Sequence, residues 1–203
     1  MRNIVLLILG AINLLANIPY IVNTYRGKTK PDIATWSTWA LLNAVAAVAA
    51  IQSGAYNTVM LAVSYLAGSF SVLLLAFRKG KWNYSLLDGV CQVLALVGVA
   101  FWLAARNPTI AIVFVVLVDV LAAIPSLRHA RVHPREETWI TYYVAGIVSL
   151  GLVACADSYS LASLAYPIDN VVINLLLTWL IVSGRRRRRI ASGSRQVKLR
   201  GVQ

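Results

Sequence analysis

The fold of this chain is decided by two matching stretches, Asn13-Leu-Leu-Ala-Asn-Ile-Pro19 and Asp119-Val-Leu-Ala-Ala-Ile-Pro125, which lie 106 residues apart. After a shortening in the next segment the offset becomes 103 residues, and it holds for Pro31 with Pro134, Thr35-Trp36 with Thr138-Trp139, Trp39 with Tyr142, Tyr56 with Tyr159, and Leu73-Leu74 with Leu176-Leu177. Matches of Leu or Ala arise easily in apolar sequence, but matches of Pro, Trp and Tyr in one register do not. The sequence therefore contains an internal duplication.

The composition indicates that most of the chain lies in lipid. The 203 residues are 59% hydrophobic and 13% charged, with a mean hydropathy of +0.71. A soluble domain is about half apolar and about a quarter charged. The net charge of +12 does not indicate a nucleic-acid partner, because the basic residues stand between or after apolar runs. Both cysteines, Cys91 and Cys155, lie inside apolar runs, so neither a disulfide framework nor a metal site is predicted.

Seven stretches have the length and apolarity expected of membrane spans, since a hydrocarbon core about 30 Å thick needs roughly 20 apolar residues in a helix. They cover residues 4–25, 36–53, 56–77, 83–104, 108–128, 138–156 and 159–183. Lipid cannot satisfy backbone hydrogen bonds, so these stretches are predicted to be helices. The N-terminus imitates a signal peptide, but it continues apolar to Tyr25 and has a repeat partner, so we interpret it as the first span.

Basic residues orient the spans, because they concentrate on the cytoplasmic side of membrane proteins. Of the segments between spans, those after spans 1, 3 and 5 are basic, and the tail begins with Arg185–Arg189. This pattern predicts an N-terminus outside and a C-terminus in the cytoplasm of a multi-pass protein of the inner or plasma membrane. The arginine run is expected to attract anionic headgroups, each charge contributing roughly 1 kcal/mol. Residues 185–203 are predicted to form a basic, disordered cytoplasmic tail.

Duplication and orientation together predict an all-α membrane protein of seven helices in a 3+1+3 arrangement. A unit of three spans begins outside and ends inside, so a second unit in the same orientation needs one crossing between them. The predicted parts are residues 1–80 (first bundle), 81–106 (linker helix), 107–184 (second bundle) and the tail. Transporters built from such parallel repeats bind their solute near the midplane, where the repeats meet.

This plan resembles the SWEET facilitators and the wider PQ-loop (MtN3-like) membrane proteins. The resemblance covers about residues 4–183 and includes the prolines late in spans 1 and 5 and the stretch 23–36, Asn-Thr-Tyr-Arg-Gly-Lys-Thr-Lys-Pro-Asp-Ile-Ala-Thr-Trp. The Pro-Gln pair of that family reads Pro19-Tyr20 and Pro125-Ser126 here. The resemblance implies transport of a small polar solute, such as a sugar or amino acid, by alternating access. It also implies that Pro19 and Pro125 act as hinges.

Carboxyl groups inside a membrane are costly and therefore mark candidate sites. Asp119 and Asp169 lie near the middle of spans 5 and 7, where they could bind a proton or a cation, or merely hold helices together. Asp88 lies close to the end of span 4 and is expected to cap that helix or to pair with a neighbouring basic residue. Pro167 precedes Asp169 and is a third candidate hinge.

Polar and aromatic side chains accompany these carboxyl groups. Amides form two stripes at helical spacing, Asn13 with Asn17 and Asn170 with Asn174, and span 2 contributes Asn43. Ser71 aligns with Asn174, and SWEET proteins are similar in binding substrate through a polar side chain of the third helix of each repeat. Trp36, Trp39, Trp139 and Tyr142 begin spans 2 and 6, where they could anchor the interface, form a gate or stack on a solute. Gly68 belongs to a small-residue face suited to helix packing.

Other classes of function find little support in the sequence. Every lysine lies outside the spans, so a retinal Schiff base has no attachment point. His129 and His133 are expected to be solvated loop residues, and no phosphate loop, HExxH or nucleophile elbow occurs, so neither an enzyme nor a cofactor is predicted. The expected partners are a small solute and the bilayer, and self-association is compatible with the sequence. The alternative to a transporter is a receptor or chaperone of the same fold, as the KDEL receptor illustrates.

Overall fold

A computed structural model describes residues 2–52, 56–80, 85–104, 108–156 and 161–200. Over these ranges the chain is helical, without β-strands. Its elements are α1 (Arg2–Tyr25), α2 (Ile33–Gln52), α3 (Tyr56–Lys79), α4 (Leu86–Ala104), α5 (Pro108–Val132), a short 3-10 helix (Pro134–Glu136), α6 (Trp139–Ala154) and α7 (Leu161–Arg200). Each predicted apolar stretch coincides with one α-helix, so the all-α prediction is confirmed.

Within the described ranges, three helical segments are long and apolar enough to cross a membrane, namely Arg2–Tyr25, Val113–Val132 and Leu164–Arg187. Two shorter apolar helices, Leu86–Gly98 and Trp139–Ala154, accompany them. Large apolar side chains cover the outer surface, as Ile4 (62% exposed) and Leu15 (61%) on α1 illustrate. Such a surface is compatible with a membrane protein, because a water-soluble monomer rarely exposes a continuous apolar face.

The helices pack in the same pairwise order in the two halves of the chain. In the first half α3 contacts both α1 and α2, and in the second half α7 contacts both α5 and α6. The halves meet through α1 against α6 and through α2 against α5, while α4 lies against α5 and α2. The buried core runs along this junction and includes Tyr20, Val72, Ala123, Tyr142 and Leu177.

The connection between α1 and α2 folds back into the bundle. Gly27 has a φ of 70°, and the amide N–H groups of Gly27 and Lys28 bond to the carbonyl oxygens of Thr24 and Asn23, which ends α1. The backbone N–H of Thr35 then donates to Asp32 Oδ1 at 3.2 Å, which starts α2. This tight connection buries Thr29 and Asp32 against the second half.

Asp88 caps a helix, which confirms one of the two roles expected for it. The backbone N–H of Ser85 donates to Asp88 Oδ2 at 2.8 Å, and that of Asp88 donates to Ser85 Oγ at 3.3 Å. This reciprocal pair is a capping box at the start of α4.

The structure describes α7 as helical through the arginine run to Arg200, and the predicted disorder of the tail stays a prediction. One sequence prediction is wrong. His129 was predicted to be a solvated loop residue, but it lies within the last turn of α5 with 2% exposure. The separators 54–55, 105–107 and 157–158 lie outside the described residues.

Candidate functional site

A polar cavity lies between the two halves of the bundle. Its described lining residues are Asn13, Asn17, Trp36, Trp39, Asn43, Tyr65, Ser69, Asp119, Thr141, Tyr142, Ala145, Tyr166, Asn170 and Asn174. The volume of the cavity that bound water can occupy is about 70 Å³. Because one water needs about 10–15 Å³ of such space, the cavity holds about five of them. Helices of both halves thus build one small, polar compartment.

The cavity is rich in amide side chains. Asn17 Nδ2 donates to the carbonyl oxygen of Asn13 at 2.9 Å, and Asn174 Nδ2 donates to that of Asn170 at 2.8 Å. Asn43 Nδ2 donates to Ser69 Oγ at 3.2 Å. Asn13 is 3% exposed, and among the described residues its Nδ2 has no hydrogen-bond partner. A buried donor without a partner is uncommon and calls for an explanation.

The two carboxyl groups singled out from the sequence meet. Asp119 is 4% exposed and lines the cavity, and its side chain is in hydrogen-bonding contact with that of Asp169. The indole N–H of Trp39 also donates to Asp119. Because an ionised carboxylate only accepts hydrogen bonds, contact between two carboxyl groups requires a proton on one of them. Asp119 and Asp169 are therefore placed so that the pair can share one proton.

Aromatic side chains close the cavity toward the end of the bundle that carries Lys28, Lys30, Arg131 and Arg185, which we call the basic end. Trp36 Nε1 donates to the Tyr20 hydroxyl at 3.2 Å, and the centroids of the two rings are 5.0 Å apart. Tyr142 meets Tyr20 edge-on at 5.9 Å. Trp36 and Tyr142 are 4% and 2% exposed, so neither serves as an interfacial anchor.

Glu137 lies beneath these rings and joins the two halves. Its Oε2 accepts a hydrogen bond from the Tyr20 hydroxyl of α1 at 3.0 Å and from the Tyr142 hydroxyl of α6 at 3.2 Å. Its Oε1 is 3.9 Å from His129 Nε2 of α5. The guanidinium of Arg185 on α7 donates to the backbone carbonyl oxygen of Glu137. Four helices thus converge on one acidic residue.

Burial decides the electrostatics of Glu137. Its side chain has no exposed surface, and this desolvation raises the pKa of the carboxyl from 4.5 to about 8, against the opposing effect of the two tyrosine hydrogen bonds. The neighbouring Glu136 is partly exposed and pairs with Lys30 at 2.8 Å, which lowers its pKa. Two adjacent glutamates therefore titrate in different pH ranges.

Further bonds between the halves surround Glu137. Thr29 Oγ1 and Thr138 Oγ1 share a hydrogen bond of 2.6 Å, and Asn23 Nδ2 donates to the same Thr138 oxygen at 3.1 Å. The backbone N–H of Lys30 donates to the carbonyl oxygen of Glu136 at 2.9 Å. The basic end is therefore sealed by a connected polar network.

The structure brings together most of the residues predicted for the site. Asn13, Asn17, Asn170, Asn174, Asp119, Trp36, Trp39 and Tyr142 line the cavity, and Asp169 contacts it through Asp119. Ser71 does not line it, since its hydroxyl donates to the Ala67 carbonyl oxygen of its own helix at 2.6 Å, and Ser69 takes its place. Trp139 lies outside the cavity near Tyr143, with 6.1 Å between rings.

The three candidate hinge prolines lie inside helices. Pro19, Pro125 and Pro167 fall within α1, α5 and α7, each of which continues past its proline. A proline removes one backbone hydrogen bond and weakens a helix locally. Whether any of the three bends during function stays a prediction.

Sequence reasoning missed Glu137, Tyr20 and the tyrosines of the cavity wall, Tyr65 and Tyr166. One signal was available for Glu137: an acidic pair, Glu136-Glu137, interrupts an otherwise basic segment directly before the aromatic start of span 6. Tyr20 occupies the place of the glutamine in the Pro-Gln pair. Nothing in the sequence placed these residues at one point between the halves.

Comparison with known proteins adds no assignment. No protein-family model, curated protein or solved structure matches the chain.

Gly68 allows α3 to approach α1 beside the cavity. A Cβ atom at this position would lie 2.5 Å from Asn17 Nδ2. We expect Gly68→Val to lower the free energy of unfolding by about 1–3 kcal/mol, because overpacking forces neighbours from their places. The measurement is the midpoint of thermal unfolding in detergent. Ser71→Val on the same helix is the control, and an unchanged midpoint for Gly68→Val would refute the close approach.

Proposed function

We propose that this protein is a multi-pass membrane transporter that moves a small polar solute through the cavity by alternating access. The observation that supports it most is a polar cavity shared by the two halves and sealed at the basic end by Tyr20, Tyr142 and Glu137. A compartment that opens to each side of a membrane in turn needs two bodies that can rock about such a site.

The proposal includes a 3+1+3 arrangement of the kind found in SWEET and PQ-loop proteins. Its support is the duplicated sequence together with the repeated packing order, α3 on α1 and α2 and α7 on α5 and α6. In this arrangement α4 joins two units of the same orientation. The basic end faces the cytoplasm. Arg185–Arg189 lies against anionic headgroups on the cytoplasmic side of the cell membrane.

The carboxyl pair supports proton coupling within the same proposal. Asp119 and Asp169 share a proton beside the cavity, and a group that gains or loses that proton changes the charge felt by the solute. A proton gradient could then drive the solute against its own gradient.

The test is uptake by purified protein in liposomes. We expect accumulation of at least one small polar solute from a panel of sugars, polyols, amino acids and amines, and we expect an imposed pH gradient to change its rate. Liposomes without protein and liposomes with heat-unfolded protein are the controls. Absence of flux for the whole panel, with the protein shown to be folded, would contradict the proposal.

A further inference from the structure

The carboxyl group in the cavity wall has no basic neighbour among the described lining residues. Asp119 carries this group, and none of the described lining residues is lysine, arginine or histidine. Inside a membrane protein the effective dielectric constant is low, so an unbalanced carboxylate acts strongly on any solute that enters. Such a wall favours a cation and repels an anion.

The carboxyl pair sets the amount of this charge. Because Asp119 and Asp169 are in hydrogen-bonding contact, one of them holds a proton, and the pair carries at most one negative charge. A single monovalent cation neutralises it. The described residues contain no group of three or more His, Cys, Asp or Glu side chains that could hold a metal ion.

Aromatic rings stand next to the carboxylate. The indole N–H of Trp39 donates to Asp119, so the Trp39 ring lies beside the carboxyl pair. The ring centroids of Trp36 and Trp39 are 5.3 Å apart, and both rings line the cavity together with Tyr142. Aromatic faces attract organic ammonium groups within about 6 Å of the ring centroid.

Asn13 supplies an independent observation. Its Nδ2 donor is buried in the cavity wall, and no described residue accepts a hydrogen bond from it. A buried donor of this kind costs about 1–3 kcal/mol unless something accepts its hydrogen bond. An oxygen atom of a bound solute would satisfy it.

We propose that the cavity binds a small organic ammonium compound that also carries an acceptor oxygen, as an amino alcohol does. This inference rests on the proposed transport function and names the class of its solute. The ammonium group lies against the Asp119–Asp169 pair and the Trp39 ring, and the oxygen accepts a hydrogen bond from Asn13. With room for about five waters, the cavity suits a solute of about four to six heavy atoms.

Three probes of nearly equal size test the charge requirement directly. Binding of radiolabelled ethanolamine to protein in nanodiscs is measured alone and in competition with ethylene glycol and glycolate, which replace the ammonium group by a hydroxyl and a carboxylate. We expect both competitors to bind at least about tenfold more weakly, because neither brings a positive charge to the carboxylate. Asp119→Asn should remove this preference, and Asp88→Asn, at an equally buried capping aspartate, should retain it.

The outcomes separate this inference from the transport proposal. Ethylene glycol that binds as tightly as ethanolamine, or a preference unaffected by Asp119→Asn, would overturn the ammonium site. Competition by Na⁺ as strong as that by ethanolamine would overturn its organic character. Flux of neutral polyols without any preference for amines would refute this inference and leave the transport function standing, whereas no flux of any solute would remove both.

Discussion

Replacement of Glu137 by glutamine is expected to keep the basic end of the bundle closed across the range from about pH 6 to about pH 9. In the native chain the closed end buries this carboxyl completely, with a pKa of about 8 against 4.5 for a solvated glutamate. The closed form therefore holds its proton more tightly than an open, hydrated form does. Glutamine keeps the shape and cannot ionise.

The direction of the pH dependence follows from linkage. A carboxyl with a raised pKa favours the closed form at low pH, fully so below 4.5, and this advantage is lost as the pH rises to about 8. Each pH unit in that window weakens closure by about 1.4 kcal/mol. From about pH 6 to about pH 8 the ratio of closed to open forms should fall by roughly 50-fold.

Several groups face Glu137 and enter the same equilibrium. Tyr20 and Tyr142 donate to its carboxylate, His129 lies 3.9 Å away, Asp32 opposes its ionisation, and Arg185 favours it. A positive charge on His129 at this distance would favour the carboxylate form of Glu137. His129→Gln should therefore shift the midpoint of the pH response without abolishing it.

The measurement is a distance across the basic end by electron–electron resonance, with spin labels at Lys28→Cys and Arg131→Cys after removal of Cys91 and Cys155. Both label positions are exposed. The native chain should show a longer distance at high pH, and Glu137→Gln should keep the short one. Glu136→Gln is the matched control, because Glu136 is partly exposed and has a lowered pKa. A pH response in Glu137→Gln equal to that of the native chain would exclude Glu137 as its source.

Asp119→Asn is expected to reduce solute uptake by at least about tenfold. Asparagine preserves the size of the side chain, but it removes the negative charge and the shared proton, so both solute attraction and proton coupling are lost. Asp169→Asn should have a similar effect on the pH dependence, since it disrupts the same pair.

Initial uptake rates in liposomes, normalised to inserted protein, measure this effect. Asp88→Asn is the control, since Asp88 is also 4% exposed but caps α4, where asparagine serves equally well. We expect its uptake rate to stay within about twofold of the native rate. Equal rates for Asp119→Asn and the native chain would show that the carboxyl pair has a purely structural role.

The helical elements could be predicted from the sequence because each is marked by a long apolar stretch between short polar ones. The proximity of Asp119 to Asn13, Asn17 and Asn174 could also be predicted, since the duplication aligned their helices around one expected midplane. Ser71 shows the limit of this reasoning. The 103-residue register pairs it with Asn174, but the residue that faces the cavity is Ser69, two positions earlier. A repeat alignment fixes helices, and helix rotation depends on packing that no alignment contains.

Glu137 could not be placed from the sequence for a different reason. It lies in a short connection that looks solvated, and its burial depends on Tyr20, 117 residues away, folding over it. His129 was misjudged for the same reason. Tertiary burial decides the protonation of such residues, and local sequence carries no direct record of it.

Helix α7 is one continuous helix that links the cavity to the basic end. A single rod without proline from Ile168 to Arg200 carries the cavity amides Asn170 and Asn174, then the Arg185 contact with Glu137, and then the arginine run. Eleven residues separate Asn174 from Arg185, about 16 Å of helix. In the proposed membrane orientation, we expect a displacement of the arginines by charged lipid to be transmitted along this helix to the amides that line the cavity.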